Sequence, residues 1–171
     1  RKKSILVIED AAQCIDSYYK KKAIGTLGDI ACFSFHETKN IQSGEGGMLV
    51  INDEQFIHQA EILREKGTNR SAFFRGEVDK YNWVDIGSSF LPSEIIASFL
   101  WAQLENIEII QSRRKKIWDL YFNGLSEWAV ENSVKMPDIP IYSTNNAHMF
   151  FLVCPTIKFR TRLIQFLKTH D

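Results

Sequence analysis

The sequence lacks several features that mark specialised classes of protein. Its three cysteines, Cys14, Cys32 and Cys154, lie far apart, and no CxxC pair or His/Cys cluster accompanies them. Neither a metal site nor a disulfide framework is therefore expected, and a reducing cytoplasm is the expected compartment. No apolar run approaches the roughly 20 residues of a membrane-spanning helix, and the one after Arg1-Lys2-Lys3 is too short for a signal peptide.

A charge of one sign is also missing, because 21 basic residues balance 21 acidic ones. This balance leaves no electrostatic footprint for a nucleic acid. What remains is an ordinary globular composition, with 44% apolar and 25% charged residues in 171. The chain begins without Met, directly before a strand pattern, and it ends just after a helical one. We therefore expect it to be a piece of a longer protein.

The order of apolar patterns predicts an α/β fold. The continuous apolar run at 4–8 is typical of a strand buried on both faces of a parallel sheet. The other predicted elements are strands at 30–35, 48–51 and 148–154, and helices from 52 or 53 to near Gly67, from Ser93 into the 120s, and at 159–170. Residues 68–91 show no clear period. Because Pro137 and Pro140 mark a linker, we expect one domain over 1–125, with a long spine helix, and the start of a smaller α+β domain over 126–171.

Three short segments carry the residues from which chemistry is expected. Asp10 follows the first strand, and ligands of open α/β sheets collect at the carboxyl ends of strands. Lys39 stands in a glycine-bearing loop beside buried strands, where a desolvated lysine becomes a nucleophile able to form a Schiff base. Asp10 is suited to keep a pyridine nitrogen protonated, Ala12 leaves room for a flat ring, and Ser34 is suited to hold phosphate oxygens.

Residue types and spacing alone leave plainer alternatives open. On this basis Lys39 is read as a surface lysine, and Asp10 as a residue that caps a strand end or forms a turn. The segment Gly44-Glu45-Gly46-Gly47 is also the pattern of an ordinary hairpin turn. His36 is interpreted as a structural hydrogen-bonding residue rather than a catalytic base, and it is kept as a candidate for contact with the substrate.

The segments EDAAQ (9–13), FSFHETKN (33–40) and GEGG (44–47) together resemble the DegT/DnrJ/StrS family of sugar aminotransferases. The resemblance is strong over 4–51 and continues to about residue 105. It implies a fold-type-I enzyme dependent on pyridoxal 5′-phosphate, with part of a parallel or mixed sheet in its large domain. It also implies roles for four residues: Lys39 binds the cofactor and moves protons, Asp10 pairs with the ring nitrogen, Gln13 lies near the ring hydroxyl and Ser34 binds the phosphate.

Within the family, residues 67–83 and 85–105 most resemble the C4 transaminases that act on TDP-4-oxo-6-deoxyglucose in common-antigen synthesis. The resemblance implies glutamate as amino donor, TDP-4-amino-4,6-dideoxygalactose as product, and a homodimer or higher homo-oligomer as the assembly. One departure is Ser89, which stands where many members carry an asparagine that reaches the phosphate of the neighbouring subunit. Arg70, Arg75 and Tyr81 are expected at the sugar-nucleotide side of the site or on a dimer-facing hairpin.

Two alternative functions follow from the same residues. A family relative dehydrates sugars but replaces the lysine with histidine, and the presence of Lys39 disfavours that reaction. The other alternative is a non-catalytic domain that binds nucleotide sugars or drives oligomerisation. The chain is expected to be inactive on its own, because some of the family's cofactor-binding residues precede Arg1 in the resemblance.

Overall fold

The computed structural model describes residues 5–170. Its main sheet has three strands in the order β1–β4–β5, with β1 at Ile8–Asp10, β4 at Ile30–Ser34 and β5 at Gly47–Ile51. Strands β1 and β4 are parallel, whereas β4 and β5 are antiparallel. The predicted strands at 30–35 and 48–51 are thus confirmed within a residue, in a mixed sheet.

The first strand differs from its prediction in both position and burial. Residue 4 lies outside the described residues, and the ladder begins only at Ile8, because Asp29 engages both polar groups of the Val7 backbone. Asp29 accepts a hydrogen bond from Val7 N at 2.8 Å and donates its own N–H to Val7 O at 2.8 Å. Ile8 is 67% exposed, so the expected burial of this strand on both faces is not found among the described residues. The strand lies at an edge of the described sheet, where few side chains cover it.

Between β1 and β4 the chain forms a small antiparallel hairpin that the sequence did not predict. Its strands are β2 at Tyr18–Tyr19 and β3 at Lys22–Ala23. Lys20 and Lys21 form the turn with φ angles of 48° and 66°, as expected of a two-residue hairpin loop whose central residues both have positive φ.

The helices follow the predicted order, with altered bounds. Asp53 caps a short 3-10 turn at Glu54–Phe56, after which the chain continues as α1. The α-helices are α1 (Ile57–Arg64), α2 (Arg70–Phe74), α3 (Glu94–Glu105), α4 (Ile107–Glu131) and α5 (Ile157–Thr169). Helix α2 lies within the segment predicted to be irregular.

The single long helix predicted from Ser93 is wrong, because it is two helices that meet at Asn106. Ser93 caps α3 by accepting a hydrogen bond from Ile96 N. Asn106 leaves the helical region at φ −108° and ψ 16°, and its side chain donates to the Ala102 carbonyl at 2.8 Å. A side-chain amide that binds the backbone in this way competes with helix continuation.

The strand predicted at 148–154 is also wrong, since Val153 forms only an isolated antiparallel bridge with Lys135. Without a second strand beside it, the segment has no ladder to extend. The final helix was predicted correctly and is α5, which Thr156 caps by accepting from Phe159 N. Helix α4 continues past residue 125, and the division into two domains stays a prediction. No helix among residues 5–170 is long and apolar enough to cross a bilayer.

Candidate active site

The carboxyl ends of the parallel strands β1 and β4 bring two of the predicted site residues to one edge of the sheet. Asp10 is the register partner of Cys32, and Ser34 lies two residues further along β4. Because register partners and alternate residues share a face, Asp10, Cys32 and Ser34 project on the same side. Gly47 of β5 is the partner of Ser34 and adds no side chain there. A carboxylate and a hydroxyl therefore share one face at the sheet edge.

The turn after β1 fixes the backbone of Asp10 while leaving its side chain exposed. Asp10 Oδ1 accepts a hydrogen bond from Ala12 N at 3.1 Å. Ala11 is fully buried and donates its N–H to Cys32 O at 3.0 Å. The second carboxylate oxygen, Oδ2, has no hydrogen-bond partner among residues 5–170. It is available to a group that approaches from the exposed face.

Glu9 projects from the opposite face of β1 and anchors the strand end to the loop before β4. Its Oε1 accepts from Leu27 N and Gly28 N, each at 2.7 Å, and its Oε2 accepts from Gly25 N at 2.9 Å. Partial burial raises the pKa of Glu9, but the hydrogen bonds from Gly28, Gly25 and Leu27 outweigh it and lower the pKa below its ordinary value. The sequence pattern predicts no function for Glu9, because its hydrogen-bond partners lie 16 to 19 residues away along the chain.

Local hydrogen bonds shape the loop from Ser34 to Lys39. Ser34 Oγ accepts from His36 N at 3.3 Å, and Oγ–H has no acceptor among the described residues. His36 Nδ1 accepts from Thr38 N at 3.3 Å, while Nε2 lies 3.7 Å from Glu45 Oε1. His36 therefore has structural partners within the loop, and its contact with a substrate stays a prediction.

The glycine segment 44–47 closes behind this loop. Glu37 N donates to Gly44 O and Phe35 N donates to Gly46 O, both at 2.8 Å. Gly44 has a φ of 79°, a conformation that L side chains rarely adopt. The segment is thus a tight turn that leads into β5 and supports the lysine loop.

Lys39 combines a fixed backbone with a free side chain. Its N–H donates to His36 O at 2.9 Å, and the next residue, Asn40, is 5% exposed. The side chain of Lys39 is half-buried, and its ε-amine has no hydrogen-bond or ion-pair partner within residues 5–170. Such an amine is available to an aldehyde.

The donor set matches the needs of pyridoxal 5′-phosphate. A carboxylate suits its pyridine nitrogen, a free amine suits its aldehyde, and a hydroxyl proton suits its phosphate. Ala12 is half-buried and leaves the ring space. Gln13 is exposed, and its backbone carbonyl accepts a hydrogen bond from Asn146 Nδ2 at 2.8 Å. No group of three or more His, Cys, Asp or Glu side chains that could hold a metal occurs in the described part of the chain.

The two predicted substrate arginines lie in carboxylate clusters. Arg75 forms a bidentate contact with Glu61, at 2.8 and 2.9 Å, and a second contact with Glu77 at 2.7 Å. Arg70 Nη1 lies 3.3 Å from the buried Glu65. These partners account for both arginines without a substrate, and their substrate role stays a prediction.

Tyr81 and Ser89 lie in the same part of the chain. The ring of Tyr81 lies between those of Phe73 and Trp83, with centroids 6.4 Å away on each side. Ser89 forms an isolated bridge with Glu65 and is exposed. No described residue forms a hydrogen bond with the Ser89 side chain. Its contact across a subunit interface stays a prediction.

Comparison with known proteins identifies the family. The family model described as the DegT/DnrJ/EryC1/StrS aminotransferase family matches residues 1–171. The chain belongs to this family. Pyridoxal 5′-phosphate is the family's cofactor, so the predicted cofactor is confirmed.

Curated relatives match the chain over only part of their own length. A GDP-perosamine synthase of Escherichia coli O157:H7 is 37% identical over 74% of this chain and 33% of its own. A GDP-perosamine synthase of Caulobacter vibrioides is 30% identical over 89% of this chain and 38% of its own. The chain thus spans about a third of the length of these relatives.

Solved structures confirm the predicted fold class. The aminotransferase TlmJ from Streptoalloteichus hindustanus is 26% identical, with a TM-score of 0.75 over 89% of this chain and 39% of that one. Spr1654 from Streptococcus pneumoniae in its PMP form is 25% identical, with a TM-score of 0.80 over 97% of this chain and 41% of that one.

Proposed function

We propose that this protein is a pyridoxal-phosphate-dependent aminotransferase that moves an amino group from glutamate to C4 of a TDP-4-keto-6-deoxyhexose. The observation that carries the proposal is the half-buried amine of Lys39, without a partner in the described chain, in the loop that follows Ser34. Ser34 shares a sheet face with the exposed carboxylate of Asp10. Membership of the sugar aminotransferase family supports the reaction class, and cytoplasmic synthesis is proposed with it.

Each site residue has a proposed task. The Lys39 amine would hold the cofactor at its aldehyde and, once the donor's amine has replaced it there, would be free to move a proton at the donor or acceptor carbon. Asp10 holds a proton on the ring nitrogen, and the Ser34 hydroxyl donates to the phosphate. The bound cofactor supplies an electron-accepting ring that stabilises negative charge at the carbon next to the transferred nitrogen. Gln13 is proposed to contact the ring hydroxyl.

The identity of the nucleotide is the least constrained part of the proposal. The TDP sugar rests on the resemblance of residues 67–83 and 85–105 to C4 transaminases of common-antigen synthesis. Two relatives of 30% and 37% identity are named GDP-perosamine synthases, which favours a GDP-linked sugar as the second candidate. Both candidates require the same chemistry from Lys39 and Asp10.

The assembly proposed is a homodimer or a higher homo-oligomer. This part of the proposal is supported by the resemblance to the sugar aminotransferase family. Light scattering of the full-length gene product tests the assembly, and a monodisperse monomer would contradict it.

The deciding experiment is borohydride reduction of the full-length gene product after addition of pyridoxal phosphate, followed by peptide mass spectrometry. We expect a pyridoxyl adduct on Lys39. Assays with glutamate and either the TDP- or the GDP-linked 4-keto sugar then identify the nucleotide. A folded protein without an adduct on Lys39 would refute the proposal and favour the non-catalytic binding domain.

A further inference from the structure

The side chain of Asn40, the residue directly after Lys39, is held by three hydrogen bonds. Its Nδ2 donates to Gln111 Oε1 at 2.9 Å and to the Asn146 carbonyl at 2.7 Å, and its Oδ1 lies 2.9 Å from His148 Nδ1. These partners come from α4 and from the chain after it, 71 to 108 residues away. We call Asn40, Gln111, Asn146 and His148 the Asn40 network.

The geometry of the Asn40 network assigns the proton on His148. The Asn146 carbonyl is only an acceptor, so the amide nitrogen of Asn40 must face it, and Oδ1 of Asn40 must face His148. The contact between Asn40 and His148 is therefore a hydrogen bond donated by Nδ1. Burial lowers the pKa of His148, and the positive charges of Lys39 and Arg114 lower it further. The neutral imidazole thus carries its proton on Nδ1 and none on Nε2.

A strained backbone turns two members of the network toward one another. Ala147 is buried and has a φ of 52°, a left-handed conformation that is uncommon for residues other than glycine and persists only where the surroundings enforce it. It allows the side chains of Asn146 and His148 to enter the same cluster. Asn146 Nδ2 also donates to the Gln13 and Ile15 carbonyls at 2.8 and 2.9 Å. Residues 146–148 therefore bind the loop after Asp10 as well as the loop of Lys39.

We propose that His148 is a positioning residue for Lys39. Its Nδ1–H holds Asn40, while Asn146 holds the loop that follows Asp10. Residues 146–148 thereby fix the position of the Lys39 amine relative to the Asp10 carboxylate. This inference rests on the proposed function, since it assigns His148 a task only where Lys39 captures the cofactor.

Substitutions at His148 separate this task from other roles of the imidazole. His148→Asn places an amide nitrogen where Nδ1 was, His148→Gln places one where Nε2 was, and His148→Leu removes both. The matched control is Trp118→Phe, because Trp118 Nε1 donates to the Met149 carbonyl at 3.1 Å. That control weakens the same segment without touching Asn40.

The test measures the rate at which borohydride traps pyridoxal phosphate on Lys39 of the full-length gene product, together with the cofactor's Kd and the Tm of the apo protein. We expect His148→Leu and His148→Gln to slow trapping by about 10- to 100-fold, because a displaced group loses roughly that much reactivity. We expect His148→Asn to retain the wild-type rate within about threefold. Trp118→Phe should lower Tm and leave the trapping rate near that of the wild type.

Three outcomes would overturn the inference. One is rescue by His148→Gln but not by His148→Asn, which would assign the role to Nε2. The second is wild-type trapping in all three His148 variants, and the third is an equal loss of trapping in Trp118→Phe, which would make the role merely structural. If His148→Leu does not fold, His148→Asn against His148→Gln still decides. If the wild type itself traps no cofactor on Lys39, the proposed function fails first.

Discussion

The carboxylate of Glu9 offers a direct test of how the strand that carries Asp10 is held. The Glu9→Gln substitution preserves size but removes the charge and one acceptor oxygen. The amide oxygen can still accept from Leu27 N and Gly28 N, as Oε1 does at 2.7 Å in each case. The amide nitrogen then faces the N–H of Gly25, which donates to Oε2 at 2.9 Å in the wild type.

The expected loss follows from the kinds of hydrogen bond involved. A hydrogen bond to a charged group contributes about 1.5–3 kcal/mol, against about 1 kcal/mol for a neutral one, and an unsatisfied donor costs about 1–3 kcal/mol when buried. Glu9 is partly exposed, so solvent screening reduces each of these contributions. We expect Glu9→Gln to lower the free energy of unfolding by about 2 kcal/mol, which corresponds to a Tm about 4–8 °C lower for a chain of this size.

The lowered pKa of Glu9 also predicts how the stability difference between wild type and Glu9→Gln changes with pH. Because the pKa of folded Glu9 lies below its ordinary value, the carboxylate stabilises the fold fully above the unfolded pKa of about 4.3. That stabilisation is lost as pH falls through the folded pKa. The difference in unfolding free energy between wild type and Glu9→Gln should be full at pH 7 and shrink below about pH 4.3.

Urea denaturation of the apo protein across this pH range measures that difference. The control is Glu45→Gln, since the Glu45 side chain is 82% exposed and its loss should cost less than about 0.5 kcal/mol. Equal stability of wild type and Glu9→Gln at pH 7 would refute the reasoning. So would a stability difference that does not change with pH.

Further predictions concern the proposed site. Lys39→Ala should abolish turnover and the borohydride-trapped adduct, and an active alanine variant would remove Lys39 from its assignment. Asp10→Asn should reduce kcat by about 100-fold or more with an unchanged circular dichroism spectrum, whereas a near-normal rate would contradict its role at the ring nitrogen. Arg70→Ala and Arg75→Ala should raise the KM for the sugar nucleotide if these residues contact it. Wild-type KM values in both variants, together with a lowered Tm, would mean that these arginines only stabilise the fold through their contacts with carboxylates.

The elements that the sequence predicted well are those whose pattern is local. Strands β4 and β5 are short apolar runs beside polar loops. They pair with each other in antiparallel fashion, so the two predicted strands stabilise one another. Helix α5 has a capping threonine at 156 and an apolar stripe, which together specify its start and its face.

The errors arose where tertiary contacts decide the outcome. The apolar run at 4–8 predicted a strand, but Asp29 binds the Val7 backbone and shifts the ladder to Ile8. The run at 148–154 has strand-forming residues, yet only Val153 finds a backbone partner. Asn106 interrupts a helix without glycine or proline, because its side chain binds a backbone carbonyl four residues earlier. None of these contacts can be read from a periodic pattern.

In the candidate site too, the sequence identifies the residues but not the contacts that position them. The motifs identified Asp10, Ser34 and Lys39 as candidates, and β-strand register puts the first two on one face. What holds the lysine loop is the Asn40 network, in which Asn40 and Gln111 are buried while Asn146 and His148 are half-buried. Its members lie far apart in sequence, and no motif predicts it. Directional hydrogen bonds fix orientation as well as position, and a buried network rigidifies its surroundings only when its members are satisfied. An apolar side chain in place of Asn40 would leave its three hydrogen-bond partners without that contact. It would also leave the direction of the neighbouring amine less defined.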